Sequence, residues 1–207
     1  MKELFLPPEL SCEIGEIYQS MAGDYDTVAQ TIHLTCSGCP DNCCDSYFLH
    51  YTYSEWAYLW EGIRRLDDAH LDRILQRSRD YVEKSRSLMA QGQRPQLMCP
   101  LNDDGLCSVY SHRLMICRTH GVPATLTRPD GQHLRFPGCF RCQEIVNDSY
   151  AIESEAPAMD RTILYRRLAQ LEGRFLGSKR GLFPKVKLTI AEMIVGGPPK
   201  DIKTNGV

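Results

Sequence analysis

Apolar residues recur every three to four positions in several stretches of the chain, and this spacing predicts amphipathic helices. A capping box, Thr52-x-x-Glu55, should open one helix, and Asp67 or Asp68 should cap a second helix that stops at Gly92. The apolar positions of this helical hairpin are Trp56, Leu59, Trp60, Ile63, Leu66, Leu71, Ile74, Leu75, Tyr81, Val82, Leu88 and Met89. The Trp and Tyr residues around Tyr47 to Trp60 stand at helical spacing, so we expect them in a core rather than in a base-stacking platform.

Further helices are predicted on both sides of the hairpin. One should run over residues 158–176, with Gly177 as its stop, and a shorter one should open at the Thr189-x-x-Glu192 box and end at Gly196. The N-terminal stretch also has helical spacing, at Leu10, Ile14, Ile17 and Met21.

The segments that carry the cysteines are rich in turn residues and are interpreted as loops. Asn102-Asp103-Asp104-Gly105 is a strong turn signal, and Pro129-Asp130-Gly131 should join two short strands near Leu126 and Leu134. Such loops contain too few apolar residues to order themselves, and a bound metal would supply the missing constraint.

These elements predict a mainly α fold. We expect one domain over residues 1–199, in which an irregular cysteine-rich metal-binding layer covers the helical hairpin and one short β-hairpin is present. The core motif spans residues 34–142, the C-terminal helices span 158–196, and residues 200–207 are expected to form a flexible tail.

Composition adds the main functional signal, because ten of the 207 residues are cysteines and nine of these lie between Cys36 and Cys142. Residues 1–10 lack the apolar run of a secretory signal, and no later stretch resembles a membrane span. We therefore expect a cytoplasmic protein without a membrane partner. In a reducing compartment, clustered cysteines are more often metal ligands or redox groups than disulfides.

Charge is divided unevenly along the chain. Residues 3–63 contain ten acidic and no basic side chains, whereas residues 64–207 have seven more basic than acidic side chains. We expect the acidic third to pack against the basic remainder. A nucleic-acid partner is disfavoured because the net charge is −2 and the acidic third would repel phosphate.

The nine clustered cysteines are all candidate metal ligands and fall into three groups along the sequence. They are Cys36, Cys39, Cys43 and Cys44; Cys99, Cys107 and Cys117; and Cys139 and Cys142. A C-x2-C turn brings two thiolates to one metal with little strain, so two such turns indicate metal binding. Successive side chains such as those of Cys43 and Cys44 point apart. If one of that pair drops out, eight thiolates remain, enough for two four-cysteine sites, whereas a single centre would draw on the first and second groups. The tenth, Cys12, is expected to be a small buried residue.

Both four-thiolate zinc and iron–sulfur clusters fit this pattern. We favour a cluster, because five arginines and no lysine occur between Cys99 and Cys142, and arginine donors would stabilise a negative centre. His33 and His120, each three residues from a cysteine, are weaker candidates for completing a centre.

The ordered cysteine motifs resemble the YkgJ-type cysteine-cluster family, whose members are described as zinc- or iron-chelating domains. The resemblance covers roughly residues 34–120 and rests on four motifs: Cys36-Ser-Gly-Cys39-Pro-Asp-Asn-Cys43-Cys44, Cys99-Pro-Leu101, Gly105-Leu-Cys107-Ser-Val-Tyr110 and Arg113-Leu-Met-Ile-Cys117-Arg118. The chain departs from the family in one extra residue before the Cys pair, in Leu114 where the family has proline, and in Cys139 and Cys142, which lie beyond the family pattern. The resemblance implies a bound iron–sulfur or zinc centre.

Two functions are open from the sequence. The first is a metal-binding protein for electron transfer, redox sensing or metal handling, and an electron-transfer role would require a protein redox partner. The alternative is a metal-dependent protein-modifying transferase, because a flagellin lysine methylase is similar in its cysteine pattern. No glycine-rich nucleotide loop, P-loop or nucleophile elbow supports an enzyme, and the order C-x2-C-x3-C is the reverse of that in radical S-adenosylmethionine enzymes.

Overall fold

The computed structural model describes residues 2–37, 39 and 43–202. Within them, seven α-helices and two small sheets confirm the predicted mainly α fold. The helices are α1 (Pro8–Thr31), α2 (Tyr53–Ile63), α3 (Asp68–Ala90), α4 (Met115–Thr119), α5 (Phe140–Ser149), α6 (Thr162–Leu176) and α7 (Ile190–Val195). The strands are β1 (Asn102–Asp103), β2 (Leu106–Cys107), β3 (Ala124–Thr127), β4 (His133–Phe136) and β5 (Met159–Asp160). None of the helices in these residues is long and apolar enough to cross a membrane.

The chain divides into two compact units. The helical unit comprises Met1–Ser11, Cys44–Leu114 and Leu171–Val207, and the sheet unit comprises Cys12–Cys43 and Met115–Gln170.

The helical unit contains the predicted hairpin, α2 and α3, and both helices begin at predicted caps. The Thr52 side chain accepts a hydrogen bond from the Glu55 amide, and Asp67 accepts one from the His70 amide. At α7 the predicted capping box is complete, since Thr189 and Glu192 cap each other's backbone amides.

Apolar side chains from α2, α3 and α7 and from the segment between α3 and α4 form the main core of the helical unit. Its buried members are Tyr53, Leu59, Trp60, Ile63, Ile74, Leu101, Val109, Leu114, Leu176, Val186, Met193 and Ile194. Tyr53, Tyr58 and Trp60 are buried, as predicted, whereas Tyr51 is exposed and departs from the prediction. Trp60 is also held by its indole N–H, which donates to the Met193 carbonyl at 3.2 Å.

The termini of the helical unit are paired. Glu3 and Lys200 form an isolated antiparallel bridge, the Asp201 amide donates to the Lys2 carbonyl at 2.7 Å, and Lys179 pairs with Asp201 at 3.0 Å. The first residues of the predicted tail are thus held, and residues 203–207 lie outside the described residues.

The sheet unit contains the predicted β-hairpin and one strand that the sequence did not indicate. β3 pairs antiparallel with β4, from Ala124 opposite Phe136 to Thr127 opposite His133, which confirms the hairpin. β5 pairs parallel with β3 on its other edge. The helix predicted from residue 158 was therefore placed too early. It begins at Thr162, whose amide donates to the Asp160 side chain at 2.9 Å.

Two other predictions are wrong. Several cysteine segments expected as loops are helical, because Cys117 lies in α4 and Cys142 lies in the first turn of α5. Cys12 is exposed on α1 rather than buried, with its thiol facing Glu16 at 4.0 Å. Helical periodicity predicts which residues share a face of a helix. It does not predict whether a residue at the border of the apolar face, such as Cys12, is buried.

Candidate metal centre

The structure distributes the nine predicted ligands between the two units. Cys36, Cys39, Cys43, Cys117, Cys139 and Cys142 belong to the sheet unit, and Cys44, Cys99 and Cys107 belong to the helical unit. All ten cysteines of the chain are thiols in the structure. The boundary between the units falls between Cys43 and Cys44.

The first C-x2-C turn follows directly from the end of α1. His33 adopts a left-handed conformation, φ 55°, and the Leu34 amide donates to the Ala29 carbonyl at 2.8 Å, so the helix ends in a Schellman-type motif. The chain then turns, and the Cys39 amide donates to the Cys36 carbonyl at 3.3 Å. This turn places both cysteines on one short loop beside the end of α1.

The second C-x2-C motif lies at the start of α5. Cys139 occupies the N-cap position of this helix and has an extended backbone conformation. Burial raises the pKa of the Cys139 thiol. The thiol makes no capping hydrogen bond of ordinary geometry, but the backbone amides of Arg141 and Cys142 are close enough to favour the thiolate and offset part of that rise in pKa. Cys139 is thus half-buried beside amide donors that suit a metal-bound thiolate.

Tyr25 and Gly121 connect the two motifs. The Tyr25 hydroxyl on α1 lies 3.9 Å from the Cys36 sulfur. A side chain at Gly121 would collide with the Tyr25 hydroxyl and would place its Cβ 2.9 Å from Cζ of the ring. The Gly121 carbonyl in turn accepts a hydrogen bond from the Cys139 amide at 3.3 Å. A continuous series of contacts therefore runs from Cys36 through Tyr25 and Gly121 to Cys139.

Within the sheet unit, four cysteines are near enough to influence the pKa of Tyr25 or of one another. Beyond the effect of burial, negative charge on Cys36 and Cys39 raises the pKa of Cys139. The pKa of Tyr25 is raised first by burial and then by Cys36, Cys139 and Cys43. We call Cys36, Cys39, Cys43 and Cys139 the thiol cluster. Its members come from the first and third sequence groups, whereas the sequence favoured the first and second for a single centre.

Cys142 has different surroundings, although it belongs to the same C-x2-C motif as Cys139. Its side chain is fully buried and packs with Ile32, Val146 and Ala156. Burial, followed by the charges of Cys139 and Glu153, raises the pKa of Cys142 to about 12. This environment is typical of a structural thiol.

The three cysteines of the helical unit are arranged around the β1–β2 hairpin. The Cys99 amide donates to the Cys44 carbonyl at 2.9 Å, and Cys107 is the register partner of Asn102. Asp104 and Gly105 both have positive φ, 50° and 88°, as expected for the two-residue hairpin turn that their sequence predicts. Cys99 and Cys107 are half-buried and pack against the main core of this unit.

Three of the arginines between Cys99 and Cys142 contact aromatic rings or backbone carbonyls. The Arg118 guanidinium lies over the Tyr18 ring at 4.6 Å, and Arg113 lies over Tyr110 at 3.9 Å. Arg135 donates to the carbonyls of residues 153 and 156, at 2.9 and 2.7 Å. Cys117, in α4, is half-buried, and His33 is exposed on the loop before Cys36.

The chemistry of the donor set fits a metal that prefers sulfur. Three thiols from the two C-x2-C motifs, together with the thiol of Cys43, match the four ligands that zinc and iron–sulfur clusters take. Among the residues that the structure describes, no three Cys, His, Asp or Glu side chains already have coordination geometry. Loading the thiol cluster would therefore require its side chains to close around the metal.

Sequence analysis did not identify Tyr25, Gly121 or Gly138 as part of this region. Gly138 has φ 87°, and a Cβ there would stand 2.9 Å from the Cys142 sulfur and from the Gly121 carbonyl oxygen. The Pro137-Gly138 pair before Cys139 is a turn signal that could have marked this position. No sequence signal pointed to Tyr25, which lies eleven residues before Cys36 within a continuous helix.

Comparison with known proteins gave no match to a family model, to a curated protein or to a solved structure. The resemblance of the cysteine motifs to the YkgJ-type family stays a prediction.

Proposed function

We propose that this chain is a cytoplasmic metal-binding protein whose thiol cluster, Cys36, Cys39, Cys43 and Cys139, holds an iron–sulfur cluster or, as the second choice, zinc. The proposed role is electron transfer, redox sensing or metal handling. The observation that carries the proposal is the linked geometry of the two C-x2-C motifs through Tyr25 and Gly121.

Electrostatics supports this proposal. Burial penalises the Cys139 thiolate and raises its pKa, and negative charge on Cys36 and Cys39 adds to that penalty. A bound cation removes that penalty, because a metal ligand is a deprotonated thiolate. The cluster also fits an exchange with another protein, since Cys36 and Cys43 are exposed. A redox partner would approach from this side of the sheet unit.

The test is the metal content of protein purified without oxygen, measured together with its ultraviolet–visible spectrum. We expect iron and acid-labile sulfide in equal amounts with a brown colour, or zinc in a colourless protein. Cys139→Ser should lose this metal. Cys12→Ser is the matched control, because Cys12 is an exposed thiol outside the thiol cluster, and it should keep the wild-type content. Metal-free wild-type protein, or equal content in Cys139→Ser and wild type, would contradict the proposal.

A further inference from the structure

The feature that the ligand assignment leaves unexplained is a tyrosine directed at the thiol cluster. Tyr25 stands on α1 with its hydroxyl 3.9 Å from the Cys36 sulfur, within the distance for a hydrogen bond to sulfur. It is not itself a metal ligand of the kind that thiolate centres use.

The backbone opposite Tyr25 is shaped to admit its ring. Gly121 is not among the glycines with positive φ, so backbone conformation does not require glycine there. The steric reason is Tyr25, because a Cβ at residue 121 would collide with the hydroxyl and would stand 3.0 Å from Cε2 of the ring. A glycine at position 121 therefore leaves room for the Tyr25 phenol.

The chemistry of a phenol determines the direction of this hydrogen bond. A tyrosine hydroxyl ordinarily has a pKa of about 10, so it carries its proton at neutral pH. A protonated hydroxyl beside a thiolate is a donor. Hydrogen bonds from outside the ligand set orient metal ligands and change metal affinity and redox potential.

We propose that Tyr25 is a positioning residue of the metal centre, donating an O–H···S hydrogen bond to the Cys36 thiolate through space that Gly121 leaves open. This inference rests on the proposed function, since the hydrogen bond acts on a metal-bound sulfur. Its consequence is that removing one hydroxyl should change the affinity and spectrum of the centre without changing the number of metal ions bound.

Cobalt(II) is a suitable probe, because its thiolate complexes absorb in the near-ultraviolet and visible ranges. The full-length chain would be stripped of metal under reducing conditions, titrated with cobalt(II) without oxygen, and challenged with a chelator. For Tyr25→Phe we expect unchanged stoichiometry, about a tenfold weaker affinity and a shifted thiolate-to-metal band. Gly121→Ala keeps the phenol but displaces it, so the same shift should appear there.

Tyr53→Phe is the matched control. It also removes a bonded hydroxyl, which donates to the Pro184 carbonyl at 3.1 Å, but it lies in the helical unit. It should bind cobalt(II) as the wild type does. Wild-type affinity and spectrum in Tyr25→Phe would overturn the role of Tyr25 while leaving the proposed function intact. Equal losses in Tyr25→Phe and Tyr53→Phe would also overturn that role, since they would indicate general destabilisation. A wild-type chain that binds no cobalt(II) would contradict the proposed function itself.

Discussion

At the scale of single residues, one buried side chain can make the stability of the protein depend on pH. His50 is an example, because its imidazole is buried and its Nε2 has no hydrogen-bond partner in the described part of the chain. Burial lowers the pKa of His50 below the ordinary value of 6.5, and the nearby Glu55 carboxylate opposes this only in part. The folded protein therefore favours the neutral ring.

The lowered pKa of His50 predicts a loss of stability in weak acid. Below pH 6.5 the unfolded chain gains a proton at this position before the folded chain does, so the free energy of unfolding should fall as the pH drops towards the folded-state pKa. His50→Phe should remove that component and flatten the dependence between pH 7.5 and 5. Denaturant midpoints of both proteins would measure it, with His133→Gln as an exposed control. An equal slope in His50→Phe and wild type would refute the assignment.

Gly138 is a second residue with a defined steric role, because it combines a φ of 87° with close backbone and sulfur neighbours. Gly138→Ala should destabilise the protein by about 2–4 kcal/mol, the sum of a left-handed alanine and an overpacked contact. Gly131→Ala is the matched control, since Gly131 has φ 84° and open space around its Cβ position. It should cost only about 1–2 kcal/mol. Thermal or denaturant unfolding would compare the two, and equal losses would show that the packing beside Cys142 is unimportant.

At the scale of elements, the N-terminus of α2 is stabilised both by a residue close in sequence and by a distant one. Thr52, predicted as the cap, satisfies the Glu55 amide. The two preceding amides, of Tyr53 and Ser54, donate to the Glu172 carboxylate at 2.9 and 2.8 Å. Glu172 lies in α6, more than a hundred residues away in sequence, so its capping role could not be inferred from spacing.

Glu172 therefore gives a test of this distant cap. Glu172→Ala leaves two buried amides without acceptors and should lower the free energy of unfolding by about 2–3 kcal/mol. Glu172→Gln keeps one acceptor oxygen and should lose about half as much. Urea denaturation of both variants would measure the difference. If alanine and glutamine have the same effect, the hydrogen bonds to α2 do not account for the stabilisation.

The difference between local signals and distant contacts also explains which elements could be predicted from the sequence. Helices α2, α3 and α7 begin at residues whose side chains cap their own first turn, and the β3–β4 hairpin is closed by a turn encoded within it. β5 depends on pairing with β3 across some thirty residues, and α5 carries its first buried apolar positions at Cys142 and Val146. Two buried positions are too few for a clear helical pattern in the sequence.

At the scale of the whole molecule, the candidate site depends on which distant segments meet. The sequence could identify the cysteines as candidate ligands from their type and spacing. It could not group Cys139 with Cys36, because that association is made by α1, by the backbone at Gly121 and by the start of α5. Both units contain buried apolar side chains, but the thiol cluster belongs to the sheet unit. The two units should therefore depend on metal to different degrees.

Hydrogen exchange can measure that difference in one experiment. The thiol cluster includes Cys139, which directly precedes α5, so binding of metal there should add to the local stability of the sheet unit. Chelation under reducing conditions should increase exchange in α5 and in the β3–β4 hairpin by tenfold or more. Amides of α2 and α3, which pack in the main core, should change little. Equal increases in both units would instead show that the metal stabilises the chain as one cooperative structure, and unchanged exchange in α5 would separate the thiol cluster from the stability of the sheet unit.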